Sequence, residues 1–249
     1  MPEEVRISGV RVDSLSPDEV EAALERFVQR ENCSLVLNVN VHCLNLAHRN
    51  SWLRELLNDA PIVLCDGAGV MIGVRILGNR IRQRIPITEW IWQLANIAES
   101  RGLTLFLLGS RPGVADEAAA KLKKRFARLR IVGTHHGYFD KTPGSARNEA
   151  VIATVNAAKP DILVVGFGMP LQERWLMENR DRLDVKVAIS GGGVLDLVSG
   201  RLRRGPRYMT DNGLEWLTRL ATEPARLWRR YLIGNAVFLL RVLRERFTA

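Results

Sequence analysis

The segment from Leu103 to Ala127 reads LTLFLLGSRPGVADEAAAKLKKRFA and contains one strand, one loop and one helix in succession. Leu103 to Leu108 is a short apolar run, Gly109 to Gly113 is a glycine-containing loop, and the alanine-rich stretch from Val114 to Ala127 suits a helix. This order is typical of parallel sheets whose strands are joined by helical crossovers. The segment therefore predicts an α/β fold.

Similar apolar runs recur along the chain and extend this prediction. The other predicted strands are Leu35 to Asn40, Ile62 to Cys65, Arg130 to Gly133, Ile162 to Val165 and Lys186 to Ile189. Ser16 followed by Pro17 marks the start of a helix, because serine caps helices and proline is tolerated in the first turn. We expect a parallel sheet with helical crossovers.

Basic residues are concentrated in the last part of the chain. The 249 residues include 36 basic and 27 acidic side chains, a net charge of +9. From Arg201 onward there are eleven arginines, no lysine and four acidic residues, so most of the excess charge lies there. Strand-like runs also end near Gly200. The sequence predicts an α/β domain over residues 1–200 and a basic helical appendage over residues 201–249.

The end of the appendage has a distinct charge pattern if residues 226–247 form one helix. At about 100° per residue, five of its arginines fall within an arc of roughly 120°, beside a broad apolar face. These are Arg226, Arg229, Arg230, Arg241 and Arg244. The pattern suits a membrane interface, and a terminal helix packed on the core is the alternative. Nucleic-acid binding is a weaker third interpretation, because few aromatic residues accompany the arginines.

Several classes of protein are excluded at this stage. The longest apolar run near the basic end, Tyr231 to Leu240, has about half of the roughly 20 residues that cross a bilayer. The N-terminal MPEEVRISG lacks the apolar stretch of a secretory signal. The three cysteines have neither disulfide-framework nor zinc-site spacing, which fits a reducing cytoplasm.

Candidate functional residues follow the predicted strands, because ligands of open parallel sheets bind beyond the carboxyl ends of strands. Asp66-Gly67 follows one strand, although an isolated Asp-Gly is more often an ordinary turn. Glycine loops follow three others, at Gly109 to Gly113, Gly166 to Gly168 and Gly191 to Gly193. They predict a nucleotide-sized anion site, and none matches a Walker loop or the dinucleotide fingerprint. His135 and His136 are interpreted as surface or packed histidines.

Taken in order, several short motifs resemble those of the WecG/TagA/CpsF family of glycosyltransferases, glycosyltransferase family 26. The resemblance runs from about Asn38 to Phe238. The motifs are NVN at 38–40, DGAG at 66–69, GSRPG at 109–113, GTHHGYF at 133–139, GFGMPLQE at 166–173, GLEWLTRL at 213–220 and EPAR at 223–226.

This resemblance implies a Rossmann-like α/β fold of the type called GT-E. It also implies an inverting enzyme that transfers a hexose from a UDP-sugar to a saccharide on undecaprenyl diphosphate, in cell-surface polysaccharide biosynthesis. Known members transfer N-acetylmannosamine, its uronic acid or other hexoses. Leu171, Ile87 and Glu89 depart from the family pattern, which leaves the donor sugar open. A non-catalytic module that binds nucleotides or anionic lipids is the alternative function.

The resemblance assigns the role of catalytic base to Asp66, which deprotonates the acceptor hydroxyl. The tail is expected to supply arginines that close over the diphosphate, with Arg204 among the candidates. The substrate-binding candidates are Asn38, Asn40, Arg84, Gly109, Ser110, Tyr138, Gly166, Gly168, Gln172, Glu173, Gly192, Asp196, Arg207, Arg219, Arg226, Arg229 and Arg230.

The chain has no DxD-type metal motif, so we expect metal-independent chemistry and no cofactor. Arginines and helix dipoles are then expected to stabilise the departing UDP. The expected partners are the UDP-sugar, the polyprenyl-diphosphate acceptor and an anionic membrane surface, without nucleic acid. The expected location is cytoplasmic, peripherally bound to the inner face of the bacterial cell membrane. A homo-oligomer is left open.

Overall fold

The computed structural model describes residues 4–202, 205–211 and 213–248. Of Arg207 and Asp211 it describes the backbone only. Among the described residues, no helix combines the length and the apolar character that crossing a membrane requires.

Eight strands form a mostly parallel sheet in the order β1-β2-β4-β3-β8-β7-β5-β6. The strands are β1 (Glu4–Ile7), β2 (Val10–Asp13), β3 (Ser34–Val39), β4 (Ile62–Cys65), β5 (Thr104–Gly109), β6 (Arg130–His135), β7 (Ile162–Gly166) and β8 (Val187–Ser190). This confirms the predicted α/β class with a Rossmann-like parallel sheet and helical crossovers. Each predicted strand is present, with ends that differ by at most two residues.

Thirteen α-helices are found in the described part of the chain. They are α1 (Pro17–Phe27), α2 (Val41–Arg49), α3 (Ser51–Asp59), α4 (Ala68–Ile76), α5 (Ile87–Arg101), α6 (Val114–Arg125), α7 (Ala146–Ala158), α8 (Leu171–Asn179), α9 (Val194–Ser199), α10 (Arg207–Asp211), α11 (Glu215–Thr222), α12 (Pro224–Trp228) and α13 (Gly234–Thr248). A 3₁₀ turn at Arg180–Arg182 follows α8, and a π-helical turn at Arg229–Ile233 joins α12 to α13.

The chain divides into two compact units. The first unit comprises residues 1–16, 38–86 and 203–249, and the second comprises residues 17–37 and 87–202. Residues 203–249 belong to the same unit as the first two strands and α2 to α4. The predicted division into residues 1–200 and 201–249 stays a prediction.

The hairpin of β1 and β2 in the first unit was not predicted from the sequence. Its two turn residues, Ser8 and Gly9, have φ values of 51° and 74°. Positive φ at both positions is the signature of a type I′ turn, whose twist matches that of the strands. The strands pair antiparallel, and each has only four residues, too short for a clear alternation pattern.

The C-terminal helix packs within the first unit. Phe238 and Val242 on α13 are buried, and α13 contacts α2 and α4. Gly73 on α4 permits this approach, because a Cβ at that position would lie 2.8 Å from both Ile7 and Phe238. Part of the apolar face of α13 therefore belongs to the core of this unit.

The predicted stripe of five arginines is not retained as a single surface. The π-helical turn holds more residues than an α-helical turn, so the residues after it are rotated relative to an uninterrupted helix. Arg226, Arg229 and Arg244 are exposed, whereas Arg230 is partly buried. Arg241 donates to Asn45 Oδ1 at 3.1 Å.

In the second unit, parallel strands bring several loops to one end of the sheet. β7 pairs with β5 from Leu105↔Ile162 to Gly109↔Gly166, and it pairs with β8 from Ile162↔Val187 to Val165↔Ser190. This register places the ends of β5, β7 and β8 side by side. The glycine loops that follow these strands are therefore neighbours, as the sequence predicted.

Candidate functional site

Asp66 lies between the end of β4 and the start of α4 in the first unit. The backbone N–H groups of Asp66 and Gly67 donate to the carbonyl of Val39 at 2.9 and 3.3 Å. A Cβ on Gly67 would lie 2.9 Å from the Cβ of Asn40, so this approach requires glycine. The DG motif thus holds Asp66 against the end of β3.

Asn40 connects Asp66 to the beginning of α2. Its Oδ1 accepts a hydrogen bond from the N–H of Cys43 at 3.1 Å and caps the helix. Its Nδ2 donates to Asp66 Oδ2 at 3.4 Å. The predicted strand extended to Asn40, whereas β3 ends at Val39 because the Asn40 side chain caps the helix. Asn38 is buried near the end of the same strand.

The surroundings of Asp66 raise the pKa of its carboxyl group. Desolvation by burial is the largest cause, and the negative charge of Glu215 acts in the same direction. The hydrogen bond from Asn40 and the charges of Arg219 and Arg84 oppose the rise. A carboxylate with a raised pKa is a stronger proton acceptor than an exposed aspartate.

Three predicted arginines lie in the electrostatic environment of Asp66. Arg84 donates to the carbonyl of Thr210 at 3.1 Å. Arg219 forms an ion pair with Glu215 on α11, with 3.1 Å between Arg219 Nη2 and Glu215 Oε1. Arg230 interacts electrostatically with Arg219 and Asp66.

Arg230 differs from the other two arginines in its partners. Its Nε is buried and has no hydrogen-bond partner among the described residues. Burial is the largest cause of the lowered pKa of its guanidinium. Burial and the positive charge of Arg230 together lower the pKa of His42 to about 4, so the His42 imidazole is neutral at pH 7. Arg230 is therefore a cation whose hydrogen-bonding capacity is partly unused.

His42 and Glu215 belong to this cluster although the sequence analysis gave them no role. His42 stands two residues after Asn40, so the cap of α2 brings it to the same end of the helix. Glu215 stands four residues before Arg219 on α11, which is the spacing of a helical ion pair. This spacing in the sequence could have predicted that Glu215 pairs with Arg219.

The remaining tail arginines are placed differently. Arg226 is exposed and forms an ion pair with Glu223 at 2.7 Å. Arg229 is exposed, with its guanidinium 5.2 Å from the ring centre of Trp228. Arg204 lies outside the described residues, as does the side chain of Arg207. The structure thus brings Asn40, Asp66, Arg84, Arg219 and Arg230 into one cluster.

The glycine loops of the second unit are connected by backbone hydrogen bonds. Ser110 N–H donates to the carbonyl of Gly166 at 3.0 Å, and Gly137 N–H donates to the carbonyl of Ser110 at 2.7 Å. A Cβ on Gly109 would lie 2.4 Å from the Gly166 oxygen, so only glycine permits this contact. The N-terminus of α6, with its positive dipole end, follows the first of these loops.

Polar side chains around these loops complete a second cluster. Ser110 Oγ donates to Asp196 Oδ2 at 2.6 Å. Tyr138 is exposed, and its N–H donates to Nδ1 of His136 at 3.2 Å. His136 therefore supports a loop. The cluster combines the N-terminus of α6, the carboxylate of Asp196 and the exposed ring of Tyr138. These groups suit the diphosphate, the sugar hydroxyls and the base of a nucleoside diphosphate, respectively.

Gln172 and Glu173 follow the second glycine loop and are fully buried, with exposed fractions of 0% and 1%. Gln172 Oε1 accepts hydrogen bonds from the N–H groups of Gly168 at 3.2 Å and Gly192 at 2.9 Å. Its Nε2 donates to Glu173 Oε1 at 2.8 Å. The contacts of Gln172 are thus made to the loops themselves.

Burial raises the pKa of Glu173 to about 7 from an ordinary value of 4.5, while the hydrogen bond from Gln172 opposes the rise. The folded chain therefore keeps this proton at pH values where the unfolded chain has lost it. Stability conferred by the protonated form is present below pH 4.5 and is lost as the pH rises to about 7.

We expect the Glu173→Gln variant to remove this pH dependence. Ionising the buried Glu173 above pH 7 lowers the free energy of unfolding by about 3 kcal/mol. The glutamine avoids this loss but leaves an unpaired amide that costs about 1 kcal/mol, so the variant should be more stable by about 2 kcal/mol at pH 8. Urea unfolding at pH 5 and pH 8 measures it, with the exposed Glu178→Gln as control. An unchanged difference between the two pH values in Glu173→Gln would contradict the assignment.

Within the part of the chain that the structure describes, no three His, Cys, Asp or Glu side chains are grouped as metal ligands. Metal-independent chemistry stays a prediction. The arginines near Asp66 are the positive charges that could take the place of a metal ion.

The model of the glycosyl transferase WecG/TagA/CpsF family matches residues 5–249, so the chain belongs to that family and is a glycosyltransferase. It is 29% identical over 227 residues to an N-acetylglucosaminyldiphosphoundecaprenol N-acetyl-beta-D-mannosaminyltransferase of Staphylococcus aureus strain MRSA252, covering 90% of this chain and 87% of the relative. A protein of the same name from strain NCTC 8325 / PS 47 is 28% identical with the same coverage.

Proposed function

We propose that this enzyme transfers a hexose from a UDP-sugar to a saccharide carried on a polyprenyl diphosphate, with inversion at the anomeric carbon. The observation that carries the proposal is Asp66, a carboxylate with a raised pKa, positioned by Asn40 and accompanied by arginines. The Staphylococcus aureus relatives are named for an acceptor of this class. The reaction belongs to polysaccharide biosynthesis.

In the proposed reaction, an Asp66 oxygen takes the proton of the acceptor hydroxyl. The hydroxyl oxygen attacks the anomeric carbon from the face opposite the diphosphate, and the bond from that carbon to the diphosphate oxygen breaks. The electron pair leaves with UDP, so one carboxylate suffices for a single displacement. The proton stays on Asp66 until solvent removes it.

We propose that arginines, without a metal ion, stabilise the charge that accumulates on the diphosphate. Arg230 suits this role because its Nε has no partner among the described residues. Arg219 contributes a second cation and is kept in position by Glu215. Bidentate hydrogen bonds from guanidinium groups match phosphate oxygens well.

We propose that the glycine loops of the second unit bind the donor nucleotide. The N-terminus of α6, which follows the loop at Gly109 to Gly113, has a positive dipole end that suits the diphosphate. The exposed ring of Tyr138 offers a stacking surface for the base, and Asp196 offers a carboxylate oxygen to sugar hydroxyl groups. Gly109, Ser110, Gly166, Gly168 and Gly192 supply the loop backbone.

A donor screen tests the proposed function. The purified enzyme is incubated with a panel of UDP-hexoses, including UDP-N-acetylmannosamine, and with N-acetylglucosaminyl diphosphoundecaprenol. We expect UDP release and a lipid product heavier by one hexose residue, measured by mass spectrometry. Binding of UDP without product from any donor would instead favour the alternative of a non-catalytic binding module.

We propose that the C-terminal helical segment, residues 224–248, binds an anionic membrane surface from the cytoplasmic side. Large apolar side chains on this segment are exposed to solvent. They are Trp228, Leu232, Ile233, Leu239, Leu240 and Phe247. The exposed arginines of the segment are Arg226, Arg229, Arg244 and Arg246. Each arginine near an anionic surface contributes about 1 kcal/mol, which supports reversible association.

We expect the triple substitution Leu232→Ser, Ile233→Ser, Leu240→Ser to reduce sedimentation with phosphatidylglycerol vesicles by about tenfold. These side chains are exposed, so their replacement leaves the core of the unit unchanged. The exposed Val132→Ser on β6 serves as the control. Sedimentation of the triple variant equal to that of the unaltered protein would contradict the membrane assignment.

A further inference from the structure

Gln172 occupies an unusual position relative to the glycine loops of the second unit. The loop after β7 contains Gly168, and the loop after β8 contains Gly192. Both residues have positive φ values, 83° and 55°, a conformation that glycine adopts without strain. One oxygen atom, Gln172 Oε1, accepts the N–H of each. The side chain therefore holds two loops in one fixed arrangement.

The orientation of the Gln172 amide is determined by its other end. Its Nε2 donates to Glu173 Oε1 at 2.8 Å, and Glu173 Oε2 is buried without a hydrogen-bond partner among the described residues. A rotated amide would point its NH₂ group at two N–H donors and lose all three hydrogen bonds. Glu173 therefore keeps the carbonyl oxygen directed at the loops.

We propose that Gln172 is a positioning residue for donor binding, which joins the loops at Gly168 and Gly192 into one preorganised site for the nucleotide diphosphate. This inference rests on the proposed function, in which these loops bind the UDP-sugar. Loops that are already in the bound arrangement lose less conformational entropy when the ligand binds. Because Gln172 is buried, it acts through the loops and leaves the ligand contacts to them.

The test compares Gln172→Met with Gln172→Glu in the full-length protein. Methionine has a similar length but accepts hydrogen bonds only weakly, whereas glutamate retains an oxygen for both N–H groups. Hydrogen exchange at Gly168 and Gly192 without ligand reports on the connection between the loops. Titration with UDP and the donor KM report on its consequence, and the exposed Gln29→Met serves as the control.

We expect Gln172→Met to exchange both amides at least tenfold faster and to raise the UDP dissociation constant and the donor KM about tenfold. The acceptor KM should be unchanged, and Gln172→Glu should recover part of the affinity. A change in the donor KM without a change in the acceptor KM distinguishes a role in positioning the donor site from a general loss of stability. A melting curve measures stability independently.

Two results would overturn the inference, and they are distinguishable. Faster exchange in Gln172→Met with unchanged UDP affinity and donor KM would show that the connection has no role in donor binding, and it would leave the proposed function intact. Failure of the unaltered protein to bind UDP would overturn the proposed donor site itself, and the inference with it.

Discussion

The Asp66→Asn variant is expected to lose between about 10²-fold and 10⁴-fold in kcat, the range typical for removal of a general base. Asparagine keeps the size of the side chain and can still contact Asn40, but it cannot take the acceptor proton. Donor binding should persist, because Asp66 is assigned to the acceptor hydroxyl and the donor nucleotide is assigned to the glycine loops. Initial rates of UDP release, together with a UDP titration, measure the two properties separately.

The pH profile adds a second test of the base. In the proposed mechanism the ionised form of Asp66 is the active one, so kcat/KM should rise with pH through an apparent pKa above the ordinary 3.8. The residual activity of Asp66→Asn should lack this rise. Asp59→Asn, an exposed position at the end of α3, is the matched control. Undiminished turnover by Asp66→Asn would remove Asp66 as the base.

The Arg230→Met variant is expected to lose about 10²-fold in kcat, comparable to the loss of one donor that stabilises a developing negative charge. Methionine retains much of the apolar stem, which packs in the partly buried site. The charge and the unpaired Nε–H are removed. In the proposed reaction the charge develops as UDP departs, so kcat should fall more than the KM values rise.

Controls separate this effect from general electrostatics. Arg75→Met removes an exposed arginine at the end of α4, in the same unit, and should retain full activity. Arg230→Lys keeps the charge but loses the planar donor geometry, so it should recover only part of the rate. Equal activity of Arg230→Met and the unaltered enzyme would exclude Arg230 from diphosphate stabilisation.

Much of the fold was predictable from local patterns. Apolar runs such as Ile162 to Val165 are buried throughout, and their composition differs sharply from that of the intervening helices. The hairpin of β1 and β2 was missed because four-residue strands carry too little pattern. The π-helical turn at Arg229–Ile233 interrupts the single C-terminal helix that was considered, and the sequence contains no signal for this turn.

The candidate site was predictable where a residue follows a strand. Asp66 and the glycine loops were identified in this way, since the carboxyl ends of parallel strands carry ligand-binding loops. The relation between the tail arginines was not predictable. Arg229 and Arg230 are adjacent in sequence, yet Arg229 is exposed, whereas Arg230 is partly buried and interacts electrostatically with Asp66. Side chains about 80° to 100° apart on a helix point in different directions.

The sequence by itself determined the α/β class, the positions of the strand-end loops and the family to which the enzyme belongs. These properties depend on short segments, in which neighbouring residues impose the pattern. The tertiary structure alone decided that Arg84, Arg219 and Arg230 share the environment of Asp66, and that Gln172 joins two loops. Such relations arise from packing between residues distant in the chain, which local propensity does not encode.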